Sequence, residues 1–481
     1  MDADIVVVGC GIAGLSAVAA AHEAGARVVV LERAPKEERG GNTRYTEAYL
    51  RMNSIDEVSD DFEEKLALFG GGHLDPSLVD MTSGGRDGWP SILKSMSFAD
   101  PDVIATFAEN AGPALRWLRD KGVRFDFLPT AFITTTTPRL LPIGGGLAMV
   151  EALCAYLEGQ GVPILYDTAA RDLIMRDDGG VGGIRAVGAR NKPLIINARA
   201  VVLACGGFEG NQEMQARYLG PRALFLRPVC RGGNYNKGEG IRMALDIGAA
   251  PCGDFGGWHA EPIDPRSGIS EPSIFIFPYG ILVNREGQRF INEAPASVDA
   301  CYEEITRQIF HQSEGMAYCI LDAKITDVPG YQRAIKTDQP AITGDTIEEL
   351  AGKLGMRAAA LKATVASYNA ACGAGTFKPL EVDGLATDGL LPPKSNWARP
   401  IDTTPFQAYP IISANVFTYG GLKVNPDAQV VNADGEVIPG LYAAGETMGL
   451  FYKTYTGSTS VLRGAVFGRI AGQHAARTIN Q

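Results

Sequence analysis

Asp4-Ile5-Val6-Val7-Val8-Gly9-Cys10-Gly11-Ile12-Ala13-Gly14 is the stretch on which the fold turns. Ile5 to Val8 is a short run of branched apolar residues, the composition of a strand buried on both faces of a parallel sheet. The glycine-rich turn follows without a gap. Leu15 to Ala24 is alanine-rich and reads as helix, stopped by Gly25. Val28 to Leu31 is a second strand and ends at Glu32. Each part of this βαβ unit has a physical task. Gly9 permits the tight turn, Gly11 lets a pyrophosphate approach the backbone, and Gly14 lets the helix close on the strand. The helix N-terminus faces the phosphates, and Glu32 accepts hydrogen bonds from a ribose. GxGxxG alone is a weak signal; strand, turn, helix, strand and acid in this order make it specific.

Length and composition bound the rest. The 481 residues suffice for two or three domains around large cores. Hydrophobic residues make up 46% and charged residues 21%, an ordinary globular profile. A net charge of −11 argues against a nucleic-acid partner. The eight cysteines show no CxxC, no CxxCH and no metal-ligand spacing, which suits a reducing compartment and points to no metal. The first strand begins at once, so no signal peptide is expected, and no apolar run approaches the ~18 residues of a membrane span. A cytoplasmic protein is the expectation.

Farther along, Arg39-Gly40-Gly41-Asn42-Thr43 offers glycines and small polar side chains for a loop against a cofactor. The spacing predicts a helix over 101–121, opened by Asp100-Pro101 and closed by Gly122. Another follows Gly144-Gly145-Gly146, then a strand at 163–166 and a hairpin around the acidic turn 177–183. Ala200 to Phe208 reads as a buried strand ending on Gly206-Gly207. Composition shifts after about residue 250. Thr346-Ile-Glu-Glu349 is a capping box, and the proline-rich stretch 373–410 reads as a connector. Gly440 to Glu446 repeats the pattern of strand, glycine and acid, and Ser458-Thr459-Ser460 opens a final helix. The expected architecture is α/β: a Rossmann-type domain formed by 1–252 and 405–481, with an inserted α+β capping domain at 253–404.

Together these segments resemble the fumarate reductase/succinate dehydrogenase flavoprotein superfamily. The matching stretches are the GxGxxG turn with Glu32, Gly40-Gly41-Asn42-Thr43, Ala204 to Phe208, Val283 to Glu293, Phe417 to Gly421, Gly440 to Glu446 and Ala465 to Arg469. Within it, Asn396-Trp397-Ala398-Arg399-Pro400-Ile401-Asp402 is similar to the tricarballylate dehydrogenase branch. Asn292 to Ala300 and Lys453 to Gly457 resemble 3-ketosteroid dehydrogenases. The resemblance implies an FAD site and an active site between the two domains. Its cofactor-contacting set here is Gly9, Gly11, Ile12, Ala13, Gly14, Glu32, Arg33, Gly40, Gly41, Asn42, Thr43, Ala170, Ala204, Cys205, Gly206, Gly445, Glu446, Ser460 and Val461. The histidine that links flavin covalently in some members has no counterpart in 40–43, which implies non-covalent FAD.

The departures bear on chemistry. Ala296-Ser297-Val298 stand where fumarate reductases carry an arginine proton donor, Val416 and Phe417 where they place a substrate-binding histidine, and Tyr455 where they place a substrate-binding arginine. Ketosteroid dehydrogenases keep a tyrosine corresponding to Tyr455, but their second catalytic tyrosine falls at Ser297. Tyr455 is therefore the leading acid/base candidate, with Lys453 nearby. Tyr419 is either a second phenol for the site or packing against the flavin. Among the five histidines, His259 is either a site residue or a satisfied buried imidazole. Arg399 either clamps a substrate carboxylate or forms a salt bridge. The final helix should offer its N-terminal N–H groups to the N1–C2=O edge of a reduced flavin. The activity implied is oxidation or reduction of a carbon–carbon bond next to a carbonyl or carboxylate. Hydride would move at flavin N5, and Tyr455 would exchange the proton. The expected substrate is a small tricarballylate-like acid, with a cyclic enone or ketosteroid-like compound as the alternative. A flavin electron-transfer subunit without its own substrate is the alternative of another class. No second dinucleotide fingerprint is evident, so a separate electron donor or acceptor is expected.

Overall fold

The computed structural model describes residues 1–68, 70–130, 132–133 and 139–479. Ile5–Val8 runs through the middle of a parallel sheet, between Val28–Leu31 and Ala200–Leu203. In register, Val8 lies beside Leu31 on one side and Leu203 on the other. Ile164–Leu165 extends the sheet beyond Val28–Leu31. Val437–Ala443 extends it beyond Ala200–Leu203, and Gln429–Val431 closes that edge antiparallel. The three inner strands are buried along their whole length. That is why the sequence shows unbroken apolar runs there instead of alternation.

The first helix, Ile12–Glu23, packs on the last, Ser460–Ile479. The approach is close enough that a Cβ on Gly468 would sit 2.2 Å from the Ala13 carbonyl oxygen, and one on Gly472 2.1 Å from that of Ala17. The two ends of the chain thus build one domain. The expected helix at 101–121 is Pro101–Asp120, its start capped by the Asp100 carboxylate, which accepts from the amides of Asp102 and Val103. The expected hairpin joins Ala169–Met175 to Val181–Gly188, and Lys192–Asn197 adds a third antiparallel strand.

The cap is a second sheet backed by helices, so the whole is α/β with an α+β insertion. Its longest strand, Phe406–Thr418, pairs antiparallel with Met316–Leu321 and Trp258–Ile263, and Ile281–Val283 lies beyond Met316–Leu321. This central strand comes from chain beyond residue 404, from the segment grouped by sequence with the Rossmann domain. The proline-rich connector ends at Pro405, and the strand that follows is largely buried on both faces. Its composition therefore resembles that of the Rossmann strands. Among the described residues, no helix is long and apolar enough to cross a membrane.

Candidate cofactor and substrate site

A deep cavity opens where the parallel strands end, at Gly9, Glu32 and Ala204, the place where open α/β sheets take their ligands. Its wall contains Gly9, Gly11, Ile12, Ala13, Glu32, Arg33, Gly40, Gly41, Asn42, Thr43, Ala170, Ala204, Cys205, Gly206, Gly445, Glu446, Ser460 and Val461. Of the expected set only Gly14 stands outside it. A Cβ there would lie 1.9 Å from the Gly9 carbonyl oxygen, so Gly14 serves the packing of helix on turn. Gly9, at φ +105°, could not carry a side chain either, since Ala204 blocks it. Gly11 differs. The nearest atoms to a Cβ there are 3.5 Å and 3.6 Å away, on Thr43 and Gly40. The backbone at Gly11 is bare towards the cavity, the shape a pyrophosphate requires.

The polar groups fit the same occupant. The Glu32 carboxylate accepts from the amides of Cys10 at 2.9 Å and Ala34 at 2.7 Å, which hold it at the cavity rim with lone pairs to spare for hydroxyls. Thr43 Oγ1 accepts from the Ile12 amide at 3.1 Å. Asn42 Nδ2 donates to Glu209 Oε1 and to the Val416 carbonyl. Arg33 forms an ion pair with Glu239. Arg463, fully buried in the wall, donates from Nη1 to the Met448 carbonyl, and its Nε has no hydrogen-bond partner among the described residues.

A second cavity adjoins the first. They share Thr46, Glu271, Val416, Phe417, Ser460 and Val461. Tyr455 and His259 both line it, their ring centroids 4.6 Å apart. The Tyr455 hydroxyl accepts from the amides of Thr459 at 2.8 Å and Ser460 at 2.9 Å and donates to Ser460 Oγ at 3.1 Å. The phenol thus takes amides at the start of the final helix that the sequence reading offered to the flavin. A negative charge on that oxygen is stabilised by those amides and by the helix dipole. Lys453 lines a separate groove, beside Tyr452.

His259 Nε2 shares a 2.7 Å hydrogen bond with the Tyr302 hydroxyl, and its Nδ1 has no hydrogen-bond partner among the described residues. Burial pushes the imidazole down to about 4, so it is neutral at pH 7, and burial holds the Tyr302 phenol well above its ordinary value. Tyr302 lies on Val298–Phe310, a helix that opens right after Ser297. Sequence reading missed this phenol. The available signal was the apolar spacing Val298, Cys301, Ile305 and Ile309, which predicts a helix whose buried side carries Tyr302 towards the sheet.

Two expected catalytic residues stand elsewhere. Tyr419 is fully buried and lines neither cavity. Its hydroxyl donates to Glu303 Oε1 at 2.5 Å, and Glu303 Oε2 accepts from Thr454 Oγ1 and the Tyr455 amide. Arg307 pairs with Glu303 at 2.9 Å. Tyr419 therefore supports, through Glu303, the loop that carries Tyr455. Arg399 pairs with Asp327 at 2.7 Å, donates to the Lys324 carbonyl and lies over the Phe377 ring at 3.7 Å. It lines neither cavity, so the expected carboxylate clamp is corrected to an ion pair within the cap.

The wall around Tyr455 is acidic. Glu47, Glu261, Glu271, Asp299, Glu303 and Glu304 line it against Arg51, Arg139 and Lys336. Each of those cations is held by the protein. Arg51 donates to the Thr456 carbonyl and pairs with Asp61; Arg139 donates to Ser458; Lys336 pairs with Glu47 at 2.9 Å and Glu271 at 3.6 Å.

A parallel sheet, a glycine turn with a bare backbone and an acid at the rim define a dinucleotide-binding protein. A family model described as FAD binding domain matches residues 4–462, and the chain belongs to that family: it binds FAD. NADH:acrylate oxidoreductase of Vibrio harveyi is 29% identical over 98% of this chain and 50% of its own length. The chain thus spans half the length of that relative. Among solved structures, the open conformation of a flavocytochrome c3 fumarate reductase superimposes with a TM-score of 0.74 at 26% identity, over 100% of this chain and 79% of that one. The 3-ketosteroid Δ4-(5α)-dehydrogenase from Rhodococcus jostii RHA1, in complex with 4-androstene-3,17-dione, gives 0.66 at 28% identity, over 99% and 97%.

Proposed function

We propose that this chain is an FAD-dependent oxidoreductase acting on the carbon–carbon bond next to the carbonyl of a neutral substrate, a cyclic enone or ketosteroid-like compound. The observation that carries this reading is Tyr455, its hydroxyl seated on helix amides in a cavity that adjoins the FAD cavity. Bound FAD supplies the hydride acceptor or donor at its N5. Tyr455 exchanges the proton at the carbon α to the carbonyl, with the Thr459 and Ser460 amides steadying charge on its oxygen. Glu303 fixes the loop by accepting from Thr454 and from the Tyr455 amide. Tyr302 and neutral His259 form a second proton-carrying pair on the cap side.

The charge of the wall decides between substrates. A tricarballylate-like acid needs cations free to pair with it, because a desolvated carboxylate without partners is costly. The wall offers acids and cations already engaged, which favours a neutral ligand. A separate electron donor or acceptor completes turnover. FAD is held without a covalent bond; acid precipitation should leave the yellow colour in the supernatant, and flavin in the pellet would overturn that.

The test of the substrate class is anaerobic mixing of holoprotein with cyclic enones, 3-ketosteroids, fumarate and tricarballylate while flavin absorbance is followed. A spectral change with a neutral ketone, the enone acting on prereduced protein, supports the reading. A response to tricarballylate alone returns the site to carboxylates, and no response to any of them favours the electron-transfer subunit.

A further inference from the structure

Behind the flavin cavity lies a buried carboxyl pair that the reaction above does not use. Glu446 stands in the cavity wall, and Glu209 lies behind it on the loop after Ala200–Leu203. Glu209 is buried at 1% exposure, and Glu446 is half-buried at the cavity wall. Their surroundings differ. Glu446 Oε1 accepts from the Thr418 amide at 2.7 Å and from Thr418 Oγ1 at 3.1 Å, and the Arg463 guanidinium stands near it. Burial raises the Glu446 carboxyl, and these donors and the cation oppose that rise, whereas Glu209 is pushed well above its ordinary value. Glu209 Oε1 accepts from the side-chain amides of Asn42 at 2.6 Å and Asn236 at 2.5 Å, while its Oε2 has no partner among the hydrogen bonds of the described residues. The charged neighbour that opposes its ionisation is Glu446. Two neighbouring carboxyls, one of them fully removed from water, ionise one before the other. The orphan oxygen on Glu209 is thus the place for the proton.

We infer that Glu209 stays protonated, so that Glu446 and Arg463 form a charge-balanced pair against the flavin, and that Glu446 is the residue whose charge sets the flavin's reduction potential. Reduction places negative charge on the flavin. Arg463 favours that charge, and Glu446 opposes it by a comparable amount. Glu209 is a positioning residue: neutral itself, it turns Asn42 so that one amide proton reaches the Val416 carbonyl, at the wall shared by the two cavities. The inference rests on FAD occupying the cavity and is independent of which substrate the enzyme takes.

The experiment is a redox titration of the holoprotein against reference dyes, with Glu209→Gln and Glu446→Gln. Glu446→Gln leaves Arg463 uncompensated and should raise the flavin potential by at least about tenfold in the reduction equilibrium, or ~30 mV for a two-electron couple. Glu209→Gln replaces one neutral hydrogen-bonding group by another and should leave the potential where it is. An equal rise in both variants would show that Glu209 is ionised and overturn the inference; so would an unshifted Glu446→Gln. Should Glu446→Gln fail to fold, infrared absorption spectra of the oxidised wild-type holoprotein, set against those of Glu209→Gln, decide. They should contain the carbonyl stretch of a protonated carboxylic acid, sensitive to heavy water and missing in Glu209→Gln. A spectrum without that band overturns the inference.

Discussion

Around Gly9 the backbone forms the ligand surface; around Tyr455 side chains do. The flavin wall starts from one continuous stretch, strand, turn and helix, whose glycines are demanded by atoms 1.9 Å and 2.3 Å from where a Cβ would be. The wall around Tyr455 gathers residues from 46–51, 259–275, 299–304, 416–417 and 454–461, with Phe132, Arg139 and Lys336, segments hundreds of residues apart. The first surface tolerates almost no change of shape. The second can change its chemistry one side chain at a time, because helices, strands and loops hold those side chains independently. A fold of this kind keeps its cofactor while its substrate varies.

The strongest way to break the comparison is at Gly14. Gly14→Val drives a side chain into the Gly9 carbonyl, and the protein should be recovered without flavin or not in soluble form. A normal ratio of flavin to protein absorbance in the purified variant would show that the turn adapts. Tyr455→Phe tests the other wall. It deletes one hydroxyl and keeps the ring, so FAD content and Tm should hold while flavin reduction slows by about 10²–10⁴-fold in stopped flow. Wild-type rates would move the proton to the Tyr302–His259 pair.

A third prediction uses His259. Its imidazole titrates near 4 in the folded chain and near 6.5 when unfolded. Between those values the unfolded state binds the extra proton. Stability therefore falls as pH drops through that window, by about 3 kcal/mol in all. Urea unfolding at several pH values should show this slope in the wild type and a flatter one in His259→Asn; parallel slopes would mean that His259 titrates normally. The smallest effect belongs to Arg399→Ala. With its ion pair to a half-exposed Asp327, the loss should stay within about 1 kcal/mol of stability, with KM unchanged. A KM raised tenfold would restore the carboxylate clamp.

What was legible in the sequence follows the same division. Ile5 to Val8, Gly9 to Gly14 and Glu32 could be read because strand, glycine turn, helix and acid follow one another within one short stretch, whose spacing leaves fixed marks such as obligatory glycines, although Ala200–Leu203 and the final helix complete their packing. Asp100 and Thr346 were readable as caps for the same reason. Tyr455 and His259 were found through resemblance, and the structure brings their rings together. Arg399 and Tyr419 stayed open between two readings because an arginine before proline, or a tyrosine before a glycine pair, looks alike in sequence whether it faces a cavity or Asp327 and Glu303.

By itself the sequence determined the Rossmann unit, the approach of a cofactor to its turn, and the α/β plan with a cap, since these depend on spacing and on residues that no other type can replace. Only the tertiary structure decided that Phe406–Thr418 is the central strand of the cap, and that Tyr302 faces His259. It alone decided that the Tyr455 hydroxyl rests on the final helix, and that Arg51 and Lys336 in the same wall are already paired with acids. Those are facts of side-chain direction and charge balance among distant segments, set by how the elements pack and carried by no single stretch of the chain.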